Sequence, residues 1–188
     1  MNNDNKHVMI KEFLSKDECN LILNKYLKEL DLKPAKVMND TIDTNVRKSS
    51  IAFIDNIDII DERLKAVLKE NVHIKGFDVT GIGPYQFTKY EVGEHYNWHT
   101  DSDNNEYKDR YCSIVIQLND EYEGGYLQLK DYNGNTYAFE RGLGNLYIFF
   151  SNILHRVIPV KKGVRYSLVN WVSLEKIEGY KKTLLWKK

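Results

Sequence analysis

Tyr111–Leu118 reads YCSIVIQL. Cys112, Ile114, Ile116 and Leu118 alternate with Tyr111, Ser113, Val115 and Gln117, the period-two pattern of a strand whose two faces meet different surroundings. The first face is wholly apolar and suits packing against helices. The second carries Ser113 and Gln117 and suits a polar pocket. On either side the same texture continues from about residue 77: Tyr85–Tyr90, Tyr126–Leu129, Leu146–Phe150, His155–Val160 and Val164–Val172 all read as strands. Gly124-Gly125, Asn133-Gly134, Gly142–Gly144 and Lys161–Gly163 punctuate them as turns.

Towards the N-terminus the pattern changes. Ser15-Lys16-Asp17-Glu18 has capping-box spacing. Behind it Cys19, Ile22, Leu23, Tyr26, Leu27 and Leu30 recur at three and four residues as one apolar stripe. A second helix is predicted over Asp58–Asn71, with Ile60, Leu64, Val67 and Leu68 on one side, and a strand over Arg47–Ile54. Helices followed by many short strands indicate α+β: an antiparallel sandwich or jelly-roll with N-terminal helices packed on one sheet. The expected organisation is a single domain over 1–188, with helical support at about 12–72 and the β core at about 77–173.

Of the 188 residues 42% are hydrophobic and 12% aromatic, with three prolines, a globular composition. Twenty-seven basic residues balance 27 acidic ones, so no global field draws in nucleic acid or an anionic membrane. Cys19 and Cys112 form neither a disulfide framework nor a zinc motif and read as reduced, buried thiols. MNNDNKHVMI lacks an apolar signal core, and there is no long apolar run, so a cytoplasmic, membrane-free location is expected. The Lys-rich end EKIEGYKKTLLWKK reads as a solvated or peripherally packed tail.

His99-Thr100-Asp101 is an H-x-D step, which in extended chain puts both side chains on one side. His155 is the candidate third ligand. Two histidines and one carboxylate make a facial triad that leaves adjacent metal positions open, suiting Fe(II) with a chelating co-substrate. Zinc hydrolysis is the chemical competitor, and a core histidine bonded to a backbone carbonyl is the plainer reading of His155. Arg165 follows in the next strand, and a hairpin through Lys161–Gly163 would return it towards His155. Arg165, Ser167, Val169 and Trp171 then share a face, where the guanidinium can grip a carboxylate and Ser167 can add a donor.

Residues 90–101, YEVGEHYNWHTD, resemble the Y-x-x-G-x-x-Y-x-x-H-x-D signature of prolyl 4-hydroxylase-type 2-oxoglutarate oxygenases. Residues 155–165, HRVIPVKKGVR, resemble that family's H-x-V-x-P-V-x-x-G-x-R. Arg110, Asn119 and Tyr122–Gly125 fit the intervening strands, so the resemblance covers roughly residues 47–173. It implies a double-stranded β-helix, a metal site of His99, Asp101 and His155, and 2-oxoglutarate held by Arg165 with Tyr90 and Ser167. It also implies O2 as oxidant, ascorbate as reductant, and Tyr96, Arg110 and Trp171 on the substrate side. Gln117 stands where some relatives place a Tyr against 2-oxoglutarate. Tyr126 replaces the usual Glu after the Gly-Gly pair, and SDNNEYKD is short where relatives often build a lid. Trp98 reads as an ordinary core residue.

The activity so implied is hydroxylation of a prolyl residue in a peptide or protein, with release of succinate and CO2. Two rivals share the metal core. A nucleic-acid-demethylating oxygenase would typically carry a second Arg six residues beyond Arg165, where this chain has Trp171, and would favour a basic surface. A non-catalytic metal-binding member would have lost turnover, yet all three ligands and Arg165 are present.

Overall fold

The structure, a computed structural model, describes residues 7–37, 41–72, 77–102, 109–131 and 133–176. Helix α1 is Lys16–Glu29 and α2 is Asp58–Asn71. In chain order the first strands are β1 (His7–Ile10), β2 (Lys33–Pro34), β3 (Arg47–Lys48), β4 (Ser50–Ile54), β5 (Phe77–Ile82), β6 (Tyr85–Tyr90), β7 (His95–His99) and β8 (Arg110–Gln117). The remainder are β9 (Glu123–Gly124), β10 (Leu127–Lys130), β11 (Thr136–Ala138), β12 (Leu146–Phe150), β13 (His155–Val157), β14 (Val160–Lys162) and β15 (Arg165–Lys176).

The capping box forms as its spacing predicts. Ser15 Oγ accepts from the Glu18 amide at 3.2 Å, and the Ser15 amide donates to the Glu18 carboxylate at 2.8 Å. Helix α2 has no side-chain cap bond; Asp58 and Asp61 in its first turn instead oppose the positive end of the helix.

The larger sheet runs β1-β12-β8-β15-β6-β4-β2, with β5 also paired to β15; the smaller runs β11-β10-β13-β7-β3; β14 and β9 form a separate pair. The strand pairings are antiparallel, giving the expected jelly-roll of two facing sheets. Cys112, Ile114, Ile116 and Leu118 pack with Cys19, Ile22 and Tyr26 of α1 and Ile60, Leu64 and Leu68 of α2. Each such aliphatic side chain contributes about 1.5–3 kcal/mol when fully buried. The helices therefore cover the outer face of the larger sheet, as the apolar face of β8 requires. Both cysteines are buried and free, and burial raises their thiols, Cys19 to about 11 and Cys112 to about 12. A second cluster, with Val115, Leu127, Phe149 and Val157, lies between the sheets and supports the site.

Three expectations change. The segment 47–54 is two strands, since the chain leaves the smaller sheet after Lys48 and enters the larger at Ser50. His155–Val160 is also broken: Pro159 has no N–H to give a ladder, and the chain passes to β14, which pairs with β9. His155 and Arg165 thus face each other from different sheets and are not joined by a hairpin. Trp98 is half-buried rather than core, with Arg156 and Lys130 over its ring at 4.4 and 5.0 Å. The segment SDNNEYKD and the Lys-rich end lie largely outside the described residues. No described helix is long and apolar enough to cross a membrane.

Candidate active site

Strand β7 ends on His99 and β13 begins on His155, and these two are direct cross-strand partners. Asp101 follows two residues after His99. Its amide and that of Ser102 both donate to the Ser151 carbonyl, at 2.8 and 3.1 Å. The turn that leads into β13 thereby fixes the backbone of the segment leaving β7. His99 Nε2 lies 3.5 Å from Asp101 Oδ1, and His155 Nε2 lies 3.3 Å from Asp101 Oδ2. All three ligand atoms fall within 4.8 Å of one another.

Each imidazole is oriented from behind. His99 Nδ1 sits 2.8 Å from the Asn97 carbonyl and His155 Nδ1 sits 2.8 Å from the Ile153 carbonyl. A carbonyl partner keeps the proton on Nδ1 and turns the Nε2 lone pair inward. Tyr96 stacks on the His99 ring at 3.4 Å, and Phe149 meets His155 edge-on at 4.7 Å. Ser113 donates to Asp101 Oδ2 at 2.6 Å and shares a 2.9 Å contact with the Ser151 hydroxyl.

Burial and the neighbouring His155 lower the His99 pKa. Burial opposes charge on Asp101, yet the attraction and hydrogen bonds of the two histidines hold it well below the usual carboxylate range. His155 is likewise penalised by burial, but the Asp101 charge outweighs this and raises it. Burial pushes the Tyr96 phenol up to about 12, so it stays a neutral donor.

This donor set fits a small divalent ion. Bonds of about 2.1 Å at right angles put neighbouring donors about 3 Å apart, close to the two Asp101–His separations. Two neutral imidazole nitrogens and one carboxylate are the ligand chemistry of a facial triad with open positions.

Arg165 lies against the same cavity, of about 610 Å³, and is only 2% exposed. One of its Nη groups donates to Ser167 at 3.0 Å, its Nε is buried without a partner, and the Tyr90 ring lies 5.4 Å away. No carboxylate pairs with it among the described residues. A buried guanidinium is costly unless paired, so this geometry fits an incoming carboxylate such as the distal end of 2-oxoglutarate.

The remaining residues read from sequence converge here. Tyr90, Tyr96, Ser167 and Trp171 line the cavity, as does Arg110, whose guanidinium stacks on Trp171 at 3.9 Å. Gln117 does not line it. Its amide donates to the Asn119 and Tyr166 carbonyls at 2.9 Å each, fastening β8 to β15. Both of its amide N–H groups are spent on backbone. Three neighbours escaped sequence reading. Ser113 was visible only as a polar position on β8; Ser151 and Arg47 carried no local signal, because a turn and a sheet crossing bring them in.

An antiparallel double sheet thus brings a buried His-Asp-His set and an opposed buried Arg to one cavity. Residues 85–173 match the family described as the 2OG-Fe(II) oxygenase superfamily. A PKHD-type hydroxylase of Thermosynechococcus vestitus is 41% identical over 98 residues, 49% of this chain and 43% of that protein. One from Aliarcobacter butzleri is 37% identical over 112 residues, 55% of this chain and 49% of that protein. The chain thus spans about half the length of the curated relatives it matches.

Among solved structures, the fold is similar to a Trichoplax adhaerens prolyl hydroxylase in complex with a hypoxia inducible factor peptide fragment. The TM-score is 0.79 at 19% identity, covering 91% of this chain and 84% of that one. It is also similar to a Pseudomonas putida prolyl-4-hydroxylase, with TM-score 0.70 at 24% identity, covering 89% and 92%. Residues 85–173 thus match the 2OG-Fe(II) oxygenase superfamily, and the fold is similar to that of these two prolyl hydroxylases.

Proposed function

We propose that this chain is an Fe(II)- and 2-oxoglutarate-dependent dioxygenase that hydroxylates a prolyl residue in a peptide or protein, with succinate and CO2 as co-products. The observation that carries the reading is one cavity holding both a convergent His-Asp-His set and a buried Arg165 with no carboxylate of its own. His99, Asp101 and His155 would hold the iron, which when bound supplies the redox chemistry that couples loss of CO2 to insertion of oxygen into a C–H bond.

The chain supplies position. Arg165 and Ser167 bind the far carboxylate of 2-oxoglutarate, with Tyr90 packed beside the guanidinium. The carbonyls of Asn97 and Ile153 keep both imidazoles in the metal-binding tautomer. Tyr96, Arg110 and Trp171 flank the substrate side, and the apolar cluster between the sheets keeps water from the metal face. Ascorbate would act as external reductant. Two buried, unpaired thiols suit a reducing, cytosolic setting.

The test is an anaerobic titration with Fe(II) and 2-oxoglutarate, following the weak visible charge-transfer band of the chelate. Wild type should show it, His99→Ala should lose it, and Arg165→Ala should need about tenfold more 2-oxoglutarate or worse, in keeping with a lost charge-assisted pair. A folded, metal-loaded wild type without the band would refute the oxygenase reading. Mass spectrometry of proline-containing peptides then tests the prolyl assignment by a gain of one oxygen.

A further inference from the structure

A second arginine shares the predicament of Arg165. Arg47 on β3 is only 7% exposed and lines the same cavity. Its Nε donates to Ser49 Oγ at 3.0 Å, and its guanidinium lies over the Tyr96 ring at 4.6 Å. No carboxylate pairs with it among the described residues. Ser49 fixes the inner edge of the group, so the two Nη nitrogens remain available as a fork, the edge that binds a carboxylate with two parallel bonds.

The location follows from the sheet crossing at Ser49. Arg47 pairs with Tyr96 across β3 and β7, while residues 50–54 already belong to the other sheet. Tyr96 in turn stacks on His99. Guanidinium, phenol and metal-ligand imidazole therefore form one column, with Arg47 a single ring removed from the triad. Among the described residues the cavity is also lined by Lys33, Asp31 and Arg165. Lys33 already pairs with Asp31.

Resting on the oxygenase reading above, we infer that Arg47 is the specificity-determining residue for the substrate and that the substrate carries a carboxylate beside the oxidised residue. An extended peptide advances roughly 3.3 Å per residue, so a carboxylate one ring beyond His99 belongs within two residues of the oxidised position. Its source is an acidic side chain or the peptide's own C-terminal carboxylate. Stacking on Tyr96 adds planar restraint that Arg meets and Lys does not.

The experiment selects peptides from a degenerate seven-residue library on immobilised full chain loaded with Mn(II) and 2-oxoglutarate, then sequences those retained. Wild type should enrich Asp and Glu at one position by about tenfold, as a desolvated charge pair gives. Arg47→Gln should lose that enrichment, and Arg47→Glu should replace it with Lys and Arg. An amidated library run beside a free-acid library separates the two sources: enrichment confined to the free acids assigns the C-terminus, and enrichment in both assigns the side chain. Identical retained populations for wild type and Arg47→Gln, enriched or not, overturn the proposal. The Fe(II)–2-oxoglutarate band of wild type reports separately on the oxygenase reading, so either can fail without the other.

Discussion

The hydroxyl of Ser113 lies 2.6 Å from Asp101 Oδ2, with the Ser151 hydroxyl 2.9 Å behind it. That bond occupies one carboxylate oxygen and leaves Oδ1 turned towards His99. Ser113→Ala should therefore weaken metal binding about 10- to 100-fold, the usual effect of removing a partner of a metal ligand, while Ser113→Thr should retain it. Competitive titration with a chromophoric chelator reads this directly, and unchanged affinity in Ser113→Ala would mean that the backbone bonds to Ser151 suffice. At this scale the sequence was informative wherever two ligands sit close together, as in His99-Thr100-Asp101. Ser113, Ser151 and Arg47 depend on pairings across the fold, and no spacing announces them.

Glu18 belongs to the scale of elements, because it serves two at once. It closes the cap of α1 and also pairs with Arg63 of α2, Oε1 to Nη2 at 2.6 Å. The Arg63 bond, followed by the Ser15 amide bond, lowers its pKa from 4.5 to about 2. A carboxyl depressed in the folded state stabilises fully above its unfolded pKa and loses that contribution as pH falls through the folded value. The window runs from about pH 4.5 down to about 2. Glu18→Gln should cost about 1 kcal/mol at neutral pH, the cap and a partly exposed pair together, and should flatten the loss of stability over that window. Urea unfolding at pH 7, 4 and 3 measures both. The box was readable from Ser15 and Glu18 alone, and α2 from its apolar stripe. The two-residue strands β2 and β9 were not, since nothing local distinguishes them from loop; β3 was merged with β4, and β13 was drawn through to Val160 because Pro159 still permits extended chain.

For the molecule as a whole, the layering followed from one strand with unlike faces, whereas the crossings between sheets did not. His155 and Arg165 are near in sequence, but they approach each other across the sandwich and frame a cavity between its sheets. A ligand that binds only the closed arrangement stabilises it by mass action, about 2.7 kcal/mol at a hundredfold excess over Kd. For a domain of this size that raises Tm by several degrees. Scanning calorimetry should show one increment on adding Fe(II) or Mn(II) and another on adding 2-oxoglutarate. Arg165→Ala should keep the first and lose the second, and a chelator should reverse both.

His99 and His155 are partners across a seam that is short and interrupted, for β13 has three residues and its register with β7 shifts between His155 and Val157. An ion held by both histidines, as proposed, would act as a clasp on that seam. Without it the small sheet should part there first, and its amides should exchange with solvent while those of the helix-covered sheet stay protected. Proteases meet the open form in proportion to its population. Iron supply would then set how long each molecule survives as well as how fast it turns over.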